Sequence, residues 1–257
     1  MRRLRLFILF LFMPLALFAQ NQEWRVSKST HFLVYYKNSP EDLLNKLMDS
    51  AENYYNKIAD ELGFTRFNFW TWDARAKIYI YNDAQDYQKT TGEPAWSAGR
   101  ATVKHKIIET FAGAQGFLDG VLPHEMAHII FREFVGFDNY AIPLWLDEGV
   151  ASYQEKLKFA HTKIYLLGLM KSGEFMDLEK LSGFNPDSSQ DNQAVKLFYA
   201  EAYSLVDYLI QESGRDKFVL FCQNLRDLKN LQRAIVLTYS FASMKDFGES
   251  WQDYLKK

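Results

Sequence analysis

Cysteine is almost missing from this 257-residue sequence, since Cys222 stands alone. A single cysteine excludes a disulfide framework within the chain, and its apolar helical surroundings favour a buried side chain over a reactive thiol. An excess of either charge is also lacking, because 30 basic residues face 32 acidic ones and the net charge is −2. This balance gives no electrostatic footprint for nucleic acid. Internal repeats and low-complexity tracts are lacking as well.

Long apolar runs are lacking except at the N-terminus. Three arginines within the first five residues precede an apolar run over residues 6–18, and Ala19 offers a small residue for cleavage. This is the pattern of a secretory signal peptide. The thirteen-residue run is short for the roughly twenty residues that a membrane span needs. The sequence therefore predicts a signal peptide over residues 1–19 and an exported bacterial protein, periplasmic or secreted, with no membrane span in the mature chain. An uncleaved anchor is the alternative.

Residues 124–128 read His-Glu-Met-Ala-His, which is the most informative cluster in the chain. Residues four apart lie on one face of a helix, so His124 and His128 can share one metal ion. Glu125 can then lean toward a water molecule bound to that ion. Pro123 suits the opening turn of this helix, which starts either at Pro123 or upstream with Asp119 as its cap. The alternative interpretation is a helix with two ordinary polar histidines.

A catalytic zinc takes three protein ligands and keeps the fourth position for water. The candidate for the third ligand is Glu148, which follows His128 after nineteen intervening residues. Its segment starts at Pro143, a residue well suited to the first turn of a helix. The intervening chain is long enough to end one helix and bring a second one alongside.

Together the two segments resemble the gluzincins, the thermolysin-like and aminopeptidase-N-like zinc metallopeptidases of the MA clan. Their signature joins His-Glu-x-x-His to a later Trp-Leu-x-Glu-Gly-x-Ala, which residues 145–151 match. The resemblance implies a zinc metallopeptidase in which His124, His128 and Glu148 hold one Zn²⁺ per chain and Glu125 is the general base. The C-terminal residues are also similar to small bacterial exported proteins called peptidase MA-like. Only the two metal segments are specific.

The order of the predicted elements indicates an α+β domain over residues 20–257. β-branched and aromatic residues predict strands over residues 30–36, 76–81 and 102–111. Apolar periodicity predicts helices over residues 40–62 and 84–90 and helical structure from Gly116 onward. The resemblance implies a small mixed sheet packed on the motif helix in residues 20–135 and a mostly helical half in residues 136–257. It also implies an edge strand that pairs with an extended peptide substrate, which we assign to residues 102–111.

The resemblance further implies a tyrosine that helps to hold the oxyanion. Tyr199 occupies the position of the tyrosine that aminopeptidase-N-like enzymes place downstream of the third ligand, and Tyr203 follows one turn later. The alternative is that both tyrosines belong to a core stripe. Metal-binding imidazoles also need partners for their second nitrogens. Glu155 lies on the same helix face as Glu148, but we expect it to be a solvated surface carboxylate.

The other histidines, His31, His105 and His161, have no ligand spacing to one another, although His105 is a candidate to face the cleft. One aminopeptidase feature is missing, because residues 111–116 lack the glutamate that binds a substrate's free amine in that family. The sequence therefore favours an endopeptidase acting on a peptide or protein. The alternatives are a zinc-containing binding or scaffold protein, against which the intact Glu125 argues, and a metallohydrolase of a non-peptide substrate.

Overall fold

The computed structural model describes residues 23–67, 69–155 and 160–257, so the predicted signal peptide and its cleavage site after Ala19 lie outside the described residues. A five-stranded sheet comes first in the chain. Its strands are β1 (Arg25–Lys28), β2 (Phe32–Tyr36), β3 (Ala76–Tyr81), β4 (Gly99–Thr102) and β5 (Ile107–Phe111). The order across the sheet is β1-β2-β3-β5-β4. The three inner strands are parallel, and each outer strand is antiparallel to its neighbour.

Two helices lie between the strands, and the remaining ones follow the sheet. They are α1 (Glu41–Glu61), α2 (Ala84–Thr91), α3 (Leu122–Val135), α4 (Leu144–Tyr153), α5 (Thr162–Ser172), α6 (Leu178–Gly183), α7 (Asn192–Gln211), α8 (Arg215–Leu228), α9 (Leu231–Tyr239) and α10 (Met244–Lys256). A small mixed sheet followed by packed helices confirms the predicted α+β class. In the part of the chain described, no helix combines the length and the apolar character needed to span a membrane.

Several predicted elements are confirmed at nearly the expected bounds. The helix predicted over residues 40–62 is α1, with Pro40 directly before it and the left-handed Gly63 just beyond its end. The strand predicted over residues 76–81 is β3, and the short helix after it is α2. Cys222 is completely buried, as its apolar surroundings indicate. By contrast, the short edge strand β1 was not predicted.

The prediction of one strand over residues 102–111 is wrong, because this segment contains a reversal of the chain. β4 ends at Thr102, residues 103–105 form a 3-10 turn, and Lys106 has a left-handed φ of 53°. The ammonium group of Lys106 donates to the carbonyl oxygen of Ala74 at 2.8 Å and to Glu133 at 3.1 Å. These long-range contacts stabilise the turn. They cannot be predicted from the alternation of apolar residues along the sequence. β5 is therefore an inner strand, and the free edge on this side belongs to β4.

The motif helix α3 is the central element of the molecule. It contacts α1, α4 and α8 as well as the strands β4 and β5. Met126, Ile129 and Ile130 are fully buried in these contacts. α3 begins at Leu122 and carries Pro123 in its opening turn, where the missing N–H of proline leaves no acceptor without a partner.

A π-helical turn, Phe117–Val121, leads directly into α3. It is closed by the N–H of Val121, which donates to the carbonyl oxygen of Gly116 at 3.3 Å. Asp119 lies within this turn, so it is not the cap of the helix that the sequence allowed. Such turns widen the backbone locally and are frequent at functional sites.

The helix that carries Glu148 is fixed by a close helix crossing. α4 packs along α7, and Gly149 lies at their contact. A Cβ atom at Gly149 would lie 2.7 Å from Cγ2 of Val206 and closer still to the carbonyl oxygen of Ala202. The absence of a side chain at position 149 therefore sets how closely α4 approaches α7, and with it the position of Glu148.

Candidate active site

The three predicted metal ligands meet between α3 and α4. The Nε2 atoms of His124 and His128 lie 3.2 Å apart, and Oε2 of Glu148 lies 3.6 Å and 3.8 Å from them. All three ligand atoms lie within 4.8 Å of one another. Two ligands on a tetrahedral zinc, each about 2.05 Å from the ion, are roughly 3.3 Å apart. This donor set therefore fits one zinc ion.

The second nitrogen of each imidazole contacts a carboxylate. Nδ1 of His124 lies 2.9 Å from Oε1 of Glu155, and Nδ1 of His128 lies 3.2 Å from Oδ1 of Asp147. A proton on Nδ1 then donates to the carboxylate and leaves the Nε2 lone pair free for a metal. The expectation that Glu155 is a solvated surface carboxylate is wrong, because its side chain is only 11% exposed and bonds to His124.

Asp147 is a site residue that the sequence analysis missed. Its Oδ2 accepts hydrogen bonds from Nε and Nη2 of Arg132, at 2.9 and 2.6 Å. Arg132 lies one turn after His128 on α3, so one carboxylate joins an imidazole and a guanidinium of the same helix. The sequence signal that could have pointed to Asp147 is the combination of His128, Arg132 one turn later, and an acidic residue beside Glu148.

The carboxylates around the imidazoles control their protonation. Burial alone would lower the pKa of His124, but hydrogen bonds to Glu148 and Glu155 outweigh it and raise the pKa to about 9. Burial likewise acts to lower the pKa of His128, and the charge of Asp147 raises it above the ordinary value. Burial would raise the pKa of Asp147, yet His128 and Arg132 hold it at about 2. The site therefore stabilises positive charge between its carboxylates.

Glu125 faces an open cleft of about 420 Å³, which His124 and Glu155 also line. Burial raises the pKa of Glu125, and the two imidazoles oppose that increase without cancelling it. Glu125 is outside the ligand cluster of His124, His128 and Glu148. It is a carboxylate beside the candidate metal position, with its proton affinity raised by its surroundings.

Of the two candidate tyrosines, Tyr199 lines the cleft. Burial and then the charge of Glu148 raise its pKa, which places its hydroxyl in the field of the site. The ring of Tyr203 instead stacks on Tyr153 at 6.2 Å. Burial and then Asp207 raise the pKa of Tyr203 to about 12, so this tyrosine belongs to another environment.

The remaining histidines lie in ordinary surroundings. His31 contacts Glu52 at 2.6 Å and stacks on Tyr55. His105 is exposed in the turn before β5, and His161 is exposed before α5. The expectation that His105 faces the cleft is not supported by this position.

Comparison with known proteins adds a family assignment. The chain matches the model of the Peptidase MA superfamily over residues 71–257. Among solved structures, a mutant of an M1 zinc metallopeptidase from Deinococcus radiodurans is similar, with 12% identity and a TM-score of 0.48. The similarity covers 89% of this chain and 51% of that one, so this chain spans about half the length of that enzyme. No curated protein matches the chain.

Proposed function

Because the chain belongs to the Peptidase MA superfamily, whose model matches residues 71–257, we propose that it is a zinc-dependent endopeptidase. The observation that carries this proposal is the arrangement of His124, His128 and Glu148 around one point, with Glu125 beside them in an open cleft. A structural zinc site usually closes with a fourth protein ligand. Here the group has three ligands among the described residues, and one of them, His124, lines the cleft beside Glu125.

In this proposal His124, His128 and Glu148 hold the ion, and Glu155 and Asp147 orient the two imidazoles through their Nδ1 atoms. Zinc bound there supplies a Lewis acid for the scissile carbonyl and lowers the pKa of a water molecule toward ~7. The carboxylate contacts fix both rings before the ion arrives. Metal binding therefore requires little further ordering of the two imidazole rings.

Glu125 is the general base and later the general acid. Its carboxylate accepts a proton from the attacking water, and its carboxyl group then donates that proton to the departing amine. The raised pKa of Glu125 moves its proton exchange toward neutral pH. Tyr199 donates a hydrogen bond to the carbonyl oxygen as that atom becomes negative. Its raised pKa keeps the phenol protonated for this role.

The cleft supports cleavage within a chain. Gly99, the first residue of β4, lines the cleft. β4 is the edge strand on this side of the sheet, so an extended peptide can pair along it. Among the described lining residues the carboxylates are Glu125 and Glu155, and Glu155 is engaged by His124. An N-terminal amine of a substrate therefore finds no separate carboxylate in this lining. This supports an endopeptidase over an aminopeptidase.

The proposal also includes export to the periplasm or the medium. It depends on the sequence of residues 1–19, whose basic start and apolar run have the pattern of a signal peptide. If the protein is exported, its substrates are peptides or proteins outside the cytoplasm.

The test is to express residues 20–257 and to measure bound zinc and digestion of a mixed peptide library. Glu125→Gln is the decisive variant, with Glu179→Gln on the exposed face of α6 as a matched control. We expect zinc at one ion per chain in all three proteins, and cleavage in the wild type and the control only. Zinc without cleavage of any peptide favours a binding role or a non-peptide substrate, and absence of zinc contradicts the site.

A further inference from the structure

One large apolar side chain in the cleft has no part in the chemistry above. Trp96 lines the same cleft as Glu125 and Tyr199, and it is 86% exposed. An indole of this size strongly favours burial, and an exposed one beside a reactive centre marks a contact for a ligand. Its surroundings show which ligand chemistry it suits.

The backbone under Trp96 is held firmly although the indole is open. The N–H of Ser97 donates to the carbonyl oxygen of Pro94 at 3.0 Å, which closes a turn around Trp96. The hydroxyl of Ser97, which is only 5% exposed, contacts the hydroxyl of Tyr87 and donates to Gly99, both at 3.1 Å. The backbone that carries the indole is therefore set before any ligand binds, which lowers the entropic cost of binding.

Apart from the site residues His124, Glu125 and Glu155, the lining of this cleft is uncharged, and much of it is small, with Ala98, Gly99, Gly116, Gly120 and Val121 among its residues. A Cβ atom added at Gly116 or Gly120 would meet nothing within 4 Å, so this part of the cleft has free space. The nearby acidic residue Glu93 pairs with Arg100 at 3.5 Å. An aromatic wall over an uncharged floor suits a large apolar side chain better than a cationic one.

We propose that Trp96 is a specificity-determining residue that selects peptides with an aromatic or long aliphatic side chain near the scissile bond. The inference depends on the proposed peptidase function and names its substrate class. β4 begins three residues after Trp96, and a peptide extended along this edge turns alternate side chains to one face. One such side chain packs on the indole and fills the space beside Gly116 and Gly120.

The experiment uses internally quenched peptides that differ at one residue, with Phe, Leu, Ala or Lys placed in turn at each position around the cleavage point. For the wild type we expect kcat/KM to be about tenfold higher for Phe than for Ala at one position, which is about 1.4 kcal/mol. Trp96→Ala loses this preference through KM, so that the Phe and Ala peptides are cleaved with equal kcat/KM. Trp96→Phe restores most of the preference. Trp72→Ala is the matched control, because Trp72 is 80% exposed and is not among the residues lining the cleft.

A binding measurement separates this inference from the proposed catalysis. In a Glu125→Gln background, isothermal titration calorimetry should show tighter binding of the Phe peptide than of the Ala peptide, and Trp96→Ala should abolish the difference. Such binding with no cleavage by the wild type would contradict the peptidase proposal, while the contact between Trp96 and a large apolar side chain would remain supported. An equal Phe-to-Ala ratio in the wild type and Trp96→Ala, a preference for Lys, or no binding of either peptide would overturn the Trp96 inference.

Discussion

The carboxylate of Asp147 joins two basic side chains of α3, with Oδ1 lying 3.2 Å from Nδ1 of His128 and Oδ2 accepting from Arg132. Asp147 is also the neighbour of Glu148 in the sequence. α4 therefore supplies a metal ligand and, from the adjacent position, the group that orients another ligand. The way in which α3 packs against α4 therefore determines the geometry of the metal site.

Asp147→Asn should weaken zinc binding by about 10- to 100-fold, because the amide is a weaker acceptor and no longer favours the proton on Nδ1 of His128. The measurement is competition with a chelator of known affinity. Asp138→Asn is the matched control, since Asp138 is 78% exposed and pairs with the exposed Lys104. Equal zinc affinities for Asp147→Asn and the control would show that Asp147 does not orient His128.

Glu155→Gln should reduce zinc affinity by about tenfold through loss of the charged contact to His124. The same variant should lower the pKa of His124 in the metal-free protein, because Glu155 is one of the carboxylates that raise it to about 9. Histidine titration followed by NMR checks the second expectation. An unchanged titration of His124 would contradict the assigned contact.

The metal ligands could be predicted from the sequence because their spacing is local. His124 and His128 are related by one helical turn, and Glu148 lies in a segment with a recognisable pattern. Asp147 and Glu155 could not be assigned in this way, since their roles depend on how α4 rotates against α3. Neighbouring helix positions point about 100° apart, so the pattern of His128, Arg132 and an acidic neighbour of Glu148 does not by itself establish that both Asp147 and Glu148 contact imidazoles.

The strands of the sheet could also be predicted only in part from the sequence. The bounds of β3 followed from its composition, whereas the reversal after β4 depends on Lys106 reaching Glu133 on α3. No glycine or proline marks that turn in residues 102–107. Local preferences therefore predicted β2 and β3, whereas tertiary contacts decided where β5 begins and which strand forms the edge of the sheet beside the cleft.

Gly149→Ala should destabilise the protein by about 3 kcal/mol, because overpacking at a close helix contact forces the backbones apart. The new Cβ atom would clash with Ala202 and Val206 on α7. Gly168→Ala is the matched control: Gly168 is an exposed glycine within α5 whose added Cβ meets nothing within 4 Å. It should stabilise the protein by up to about 1 kcal/mol. Denaturant unfolding measures both, and equal effects would contradict the proposed crossing.

The last prediction concerns Glu201, a fully buried carboxyl on α7. Its Oε1 accepts from the N–H of Met176 at 2.8 Å, and Oε2 has no hydrogen-bond partner among the described residues. Burial raises its pKa from 4.5 to about 9, so the folded protein keeps this carboxyl protonated through neutral pH. The unfolded chain has already lost the proton above about 4.5. The free energy of unfolding therefore falls as pH rises between these values, by at most about 1.4 kcal/mol per pH unit.

Glu201→Gln should remove this contribution, because glutamine keeps an acceptor for Met176 and does not ionise. The variant should equal the wild type in stability near pH 4.5 and exceed it increasingly up to pH 9. Urea unfolding of both metal-free proteins across this range measures the difference, in which the titration of His124 and His128 cancels. Glu249→Gln, at a carboxylate whose side chain is 61% exposed, should give a curve parallel to the wild type. A parallel curve for Glu201→Gln as well would mean that Glu201 is ionised in the folded protein, with water or a shift of the chain near Met176 supplying the missing partner.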